Sequence, residues 1–283
     1  MRYVTFRTAD GTRAGAVDGT QVTPLECTDV GALLAAADAA ELPFARAVAS
    51  GVCAAAGPPR PLVGLDLAPV VPHPHKVLCV GLNYRPHILE MGRSEPDHPT
   101  LFTKWDDTLL GPGDDLVLPP EVDLLDWEAE LVVVVGRTTR RADESEATAA
   151  IAGFTVGNDV TARDWQARTS QFLQGKAWEA TCPIGPWLVP AEELGPRPDL
   201  ELSCAVSGRT VQRARTGELV FDPVALVAYA STITTLHPGD LVFTGTPGGV
   251  GAARNPPVGL VDGDELVTTI EGIGTLRNNC TRG

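Results

Sequence analysis

Apolar positions come in short runs cut by glycine and proline, and few runs are long enough for a helix. From Lys76 onward, "KVLCVGLNY", "AELVVVVGR", "IAGFTVGND", "LELSCAVSG", "DLVFTGTP" and "DELVTTIEG" are rich in aliphatic and β-branched residues and end at turn formers, so each reads as a strand. Helices are expected at "RPHILEMG", "ESEATAAI", "TARDWQAR" and "DPVALVAYASTIT". Strands and helices do not alternate regularly. That disfavours a doubly wound parallel sheet and favours a mixed, mostly antiparallel, strand-dominated α+β architecture.

Ahead of this region, "RYVTFRT", "RAGAVDG" and "QVTPL" alternate and are separated by Asp-Gly turns, the pattern of a small antiparallel hairpin unit. The alanine-rich "GALLAAADAAELPFARAVAS" predicts a helix that stops at Gly51. The proline-rich "AGPPRPLVGLDLAPVVPHPHK" reads as a connector. The expected division is a small N-terminal domain over residues 1–70 and a catalytic domain over 71–283.

One strand carries an unusual load. In "LLDWEAELVVVVGR", Asp126, Glu128 and Glu130 occupy every second position beside an apolar run, so in a strand they share one face. Crowded carboxylates must shift their pKa, pair with bases or bind a cation, unless the strand is a solvated edge. Asp159, at the end of "IAGFTVGND", adds a further acid at a strand end. An all-carboxylate set without His or Cys suits a hard divalent ion: Mg²⁺ or Mn²⁺ first, Ca²⁺ next.

After Pro86, His87 and Glu90 fall three apart on one face of a short helix. Spacing alone leaves two readings open, an exposed charge pair or a carboxylate-oriented imidazole acting as general base. The "TGTPGGVG" turn has no Gly-Lys-Ser/Thr and no helix after it, so it is not a phosphate loop; it offers the Thr246 hydroxyl and backbone N–H groups to a carboxylate. Lys176 and Arg163 stand among acidic or apolar neighbours, as structural ion-pair partners or as catalytic groups.

Composition narrows the partners. A net charge of −14 excludes broad nucleic-acid binding, and a small anionic substrate needs a local reversal of potential. No apolar stretch of about 20 residues is present to span a membrane. The N-terminus lacks the apolar centre of a secretory signal, so a cytoplasmic location is expected. Six cysteines without C-x-x-C spacing are expected to be reduced core residues rather than disulfides or zinc ligands.

Taken in order, "GLNYRPHILEMG", "LFTKWDDTLLGPGDDLVLPP", "DWEAELVVVVG", "GFTVGNDVTARDWQ", "GKAWEATCPIGPWLV", "HPGDLVFTGTPGGVG" and "IEGIGTLRN" closely resemble the fumarylacetoacetate hydrolase family, from about Lys76 to the C-terminus. The resemblance implies a mixed β-roll with a divalent metal at its mouth, held by the Glu-x-Glu pair Glu128 and Glu130 and by Asp159. It implies a His87–Glu90 dyad on a helix that orders over the substrate, an active-site lysine at Lys176, a substrate-contacting Thr246, and Arg163 and Gln166 near the substrate. Pro86 stands where many members carry Asp, and Asp126 is left without a role. A homodimer acting on a small anionic keto acid is also implied. The activity implied first is metal-dependent hydrolysis of a carbon–carbon bond in an acylpyruvate or other 1,3-diketo acid, such as fumarylpyruvate or acetylpyruvate. Alternatives are decarboxylation of an oxaloacetate-like acid or isomerisation of a 2-hydroxymuconate-type dienoate. A non-catalytic keto-acid-binding or repurposed biosynthetic protein is more remote.

Overall fold

The computed structural model describes residues 1–90 and 92–282, and the side chain of residue 45 is outside the description. Residue 91 of the "RPHILEMG" stretch and residue 283, the end of the second expected domain, thus lie outside the described residues. The chain is strand-dominated α+β. Among the described residues the largest sheet has eleven strands and is mixed, and its centre is Ala129–Val135. This strand pairs antiparallel with Ile151–Asn158 on one side and Leu241–Phe243 on the other. Every residue of Ala129–Val135 is buried, as its unbroken Leu-Val run requires of a strand covered on both faces. Leu241–Phe243 pairs parallel with Val77–Gly81, which pairs antiparallel with Thr100–Lys104 at the sheet's end.

On the other flank Ile151–Asn158 pairs with Cys182–Pro190, whose outer neighbour is Arg2–Thr8 through Tyr3↔Leu188. The strands of residues 1–70 thus continue the sheet of the later residues. Tyr3, Leu25 and Leu34 share one apolar cluster with Val132, Val134 and Phe243. A second, five-stranded sheet is built on Glu201–Val206, Arg209–Arg215, Glu265–Ile270 and Gly274–Arg282, with Leu116–Leu118 at its edge.

The helices at Arg85–Glu90, Glu144–Ala150 and Pro223–Ile233 fall where the spacing predicts. The alanine-rich stretch does not make one helix. Val30–Ala39, capped by Asp29, ends before Pro43, and Phe44–Ala47 restarts after it, because proline supplies no N–H to the preceding turn. The cysteine expectation also needs correction. The antiparallel bridge Leu25↔Ala55 and the Glu26 N–H to Ala54 carbonyl bond bring Cys27 and Cys53 to a Cα separation of 5.9 Å, and the two form a disulfide. Cys79, Cys182, Cys204 and Cys280 are free and buried, as expected.

Candidate active site

The acids meet where Ala129–Val135 and Ile151–Asn158 end. The register pairs Ala129 with Asn158 and Glu130 with Gly157. Beyond the last pair, the Asp159 N–H donates to the Glu128 carbonyl at 2.8 Å, and the Asn158 side chain accepts the Glu128 N–H at 2.8 Å. Backbone bonding thus fixes three carboxylates side by side: one oxygen each from Glu128, Glu130 and Asp159 lies within 4.8 Å of the others, and all three residues are buried. Asp126 does not join them. Its carboxylate accepts from the N–H groups of Trp127, Gly251 and Ala252 and from Arg163 Nε at 2.8 Å, so it anchors the Gly-rich turn and aims Arg163.

Cations surround the trio unevenly. Lys176 Nζ reaches Glu128 at 2.8 Å and Asp159 at 2.7 Å, Lys104 Nζ reaches Asp159 at 2.7 Å, and Arg163 lies 2.7 Å from Glu128. Burial pushes the Glu128 carboxyl up, but Lys176 and Arg163 outweigh it and hold the pKa at about 2. For Lys176 burial acts downward, and Asp159 and Glu128 outweigh it, keeping the ammonium charged. Glu130 has no ion pair among the described residues and accepts only the Gly245 N–H, at 2.7 Å. Burial, then Asp159 and Glu128, raise its carboxyl well above the ordinary value. Four buried carboxylates, counting Asp126, thus face three cations, Lys104 and Lys176 buried and Arg163 partly so. A dication at the trio would more than offset this single excess negative charge, and three hard oxygen donors fit Mg²⁺ or a similar ion.

Above the trio lies the helix Arg85–Glu90. His87 Nδ1 is 2.9 Å from Glu90, and the same carboxylate accepts the Gly249 N–H at 3.1 Å, which ties the helix to the turn after Leu241–Phe243. With Nδ1 donating to Glu90, Nε2 carries the free lone pair. Pro86 occupies the first turn, where a missing N–H costs nothing. Asn83 fixes the approach to this helix: its amide donates to the carbonyls of Thr244 and Phe221 and accepts the Phe221 N–H. Its Cβ stands where a side chain at residue 245 would go. Only glycine fits there, with φ at 103° and a built Cβ 2.8 Å from Asn83.

A cavity of about 400 Å³ is lined by His87, Glu128, Arg163, Gln166, Lys176 and Thr246, with Phe102 and Phe172 among its apolar walls. It gathers the histidine of the dyad, one acid of the trio and the four further candidates. Thr246 sits in the lining with its hydroxyl hydrogen-bonded inside the protein. Its hydroxyl donates to the Ala129 carbonyl at 3.0 Å and accepts from Gln212 at 2.9 Å, so its hydroxyl proton is already used. Gln166 accepts from Arg163 at 3.0 Å. Three residues here went unrecognised in the sequence. Lys104 was legible as a lone cation ending the strand Thr100–Lys104. Asn83 and Gln212 gave no periodic signal, and their roles depend on partners far along the chain, 138 positions away for Asn83 at Phe221 and 83 for Gln212 at Ala129.

This architecture matches known proteins. The family model described as the fumarylacetoacetate (FAA) hydrolase C-terminal domain covers residues 76–281. The mitochondrial oxaloacetate tautomerase of Rattus norvegicus is 44% identical over 213 residues, 75% of this chain and 68% of the relative. A 2-hydroxyhepta-2,4-diene-1,7-dioate isomerase from Mycobacterium marinum superposes with a TM-score of 0.81 at 32% identity, over 100% of this chain and 98% of that one. A fumarylacetoacetate hydrolase from Exiguobacterium antarcticum does so with a TM-score of 0.86 at 30% identity, over 100% of both chains. The ordered motifs, the acid trio at paired strand ends and the matched span of residues 76–281 agree: the chain belongs to the fumarylacetoacetate hydrolase family.

Proposed function

We propose that the protein is a divalent-metal-dependent enzyme that moves a proton on an enolisable 2-oxo acid, as a tautomerase or isomerase. The observation that carries the reading is His87, hydrogen-bonded to Glu90 and lining the same cavity as Glu128, Lys176 and Gln166. An imidazole facing a carbon next to a polarised keto group is sufficient for proton transfer, whereas carbon–carbon hydrolysis also needs a positioned water. Hydrolysis of a diketo acid, the activity implied first by the resemblance, therefore gives way to its alternative. The names of the relatives support this ordering: an oxaloacetate tautomerase and a dienedioate isomerase.

Glu128, Glu130 and Asp159 would hold Mg²⁺ or Mn²⁺, whose bound charge would polarise the keto oxygen and favour the enolate. His87 Nε2 takes the proton from the adjacent carbon and returns it at the same or a conjugated position. Glu90, hydrogen-bonded to Nδ1, stabilises the imidazolium in between. Gln166 orients the substrate, and Lys176 and Arg163 keep the site's charge favourable to an anion. Phe102 and Phe172, packed edge to face at 5.6 Å, exclude water from the wall.

The test is direct. With Mg²⁺, wild-type protein should accelerate keto–enol exchange of oxaloacetate, followed by enol absorbance, and His87→Ala should remove most of that acceleration. Release of acetate and pyruvate from acetylpyruvate without any faster enol exchange would overturn this reading in favour of hydrolysis. Release of CO₂ from oxaloacetate alone would point to decarboxylation.

A further inference from the structure

Among the described cations that line the cavity, one is uncommitted. Lys176 is held by Glu128 and Asp159, and Arg163 by Asp126, Glu128 and Gln166. Arg93 lines the same cavity, is exposed, and has no side-chain hydrogen bond or ion pair among the described residues. The acid two positions on, Glu95, is engaged by Arg85 at 3.2 Å. Arg93 is not placed loosely. The Arg93 N–H donates to the Ile88 carbonyl and the Gly92 N–H to the Leu89 carbonyl, both at 3.0 Å, with Gly92 at φ 65°. This is a Schellman ending, which fixes the backbone of Arg93 to the helix that carries His87 and Glu90.

The cavity lining therefore spans buried Glu128 and Lys176, half-buried Phe102 and Phe172, and exposed Arg93. The buried charges serve the dication and the keto-acid head, and they leave Arg93 as a separate positive site. We infer that Arg93 is a specificity-determining residue that receives a second carboxylate at the distal end of the substrate, so that the site prefers 2-oxo diacids to monoacids of the same length. This rests on the keto-acid reading above. The guanidinium fork matches a carboxylate with two parallel N–H donors, and a lysine would supply only a point charge.

The test is calorimetric titration of Mg²⁺-loaded protein with 2-oxoglutarate and with 2-oxopentanoate, which share the keto-acid head and differ in the terminal carboxylate. Wild type should bind the diacid about tenfold more tightly, a difference of about 1.4 kcal/mol. Arg93→Gln should lose that preference with its monoacid affinity and melting temperature unchanged, and Arg93→Lys should keep part of it. The preference should also shrink with salt, because the group is exposed. Equal binding of both acids by wild type, or an undiminished preference in Arg93→Gln, overturns the assignment of Arg93 and leaves the keto-acid reading standing. If wild type binds neither acid, the keto-acid reading falls and this inference falls with it.

Discussion

Replacing Glu130 by Gln tests the electrostatics of the site most sharply. Glu130 is 1% exposed, its only described polar partner is the Gly245 N–H, and it sits beside two further carboxylates. Without a dication its carboxyl is raised well above the ordinary value, by burial first and then by Asp159 and Glu128. In that range the folded protein binds more protons at this position than the unfolded chain, so stability falls as pH rises through the folded pKa. Glutamine keeps the shape and can still accept from Gly245, but it carries no charge. In EDTA at pH 8, Glu130→Gln should therefore melt at the same temperature as wild type or higher. Metal reverses the order. At a hundredfold excess over its dissociation constant, Mg²⁺ should stabilise wild type by about 2.7 kcal/mol. At roughly 2 °C per kcal/mol for a chain of this size, that is a shift of about 5 °C. Glu130→Gln should lose most of that shift. Differential scanning fluorimetry with and without Mg²⁺, at pH 6 and pH 8, reads both effects. Equal metal shifts in the two proteins, or a large loss of stability in the metal-free variant, would refute a cation cage containing Glu130.

Other outcomes follow from the same contacts. Lys176→Met should lower kcat on the order of 10²-fold or more. It should also let the Glu128 carboxyl climb from about 2, so that acid unfolding begins at higher pH than in wild type, where the stability from Glu128 is lost only as pH falls towards that value. Glu90→Gln should reduce kcat more than KM by removing the carboxylate from His87 Nδ1, read from steady-state kinetics. Trp127, fully buried with its indole N–H on the Gly249 carbonyl, should cost roughly 3–5 kcal/mol when truncated to Ala, measured by denaturant unfolding.

The strand at the centre of the sheet was legible because its signal is local: an unbroken aliphatic run flanked by alternating acids. The same period placed Glu128 and Glu130 together, and Asp159 followed from its position at the end of a second apolar strand. Asp126 shared that period yet serves another purpose, because the pattern fixes a face but not the partner found there. The strands Cys182–Pro190 and Gly274–Arg282 were hidden, the first by its prolines and the second by its polar residues. Both also depend on neighbours distant in sequence, with Gly153↔Pro190 pairing one and Leu116↔Cys280 the other. The Cys27–Cys53 link was invisible for the same reason, since its spacing of 26 residues says nothing until Leu25 meets Ala55.

The acids and the base are carried by different parts of the molecule. Glu128, Glu130 and Asp159 are set by the register of two central strands, whereas His87 and Glu90 ride on a six-residue helix joined to the rest mainly through Asn83 and the Gly249 N–H. On the proposed mechanism, divergence would proceed piecemeal: substitutions between residues 82 and 95 would alter which carbon gains or loses a proton and leave the register that sets the acid trio unchanged. A chimera exchanging only that segment with a relative of different activity would carry the donor's reaction on an unaltered cage.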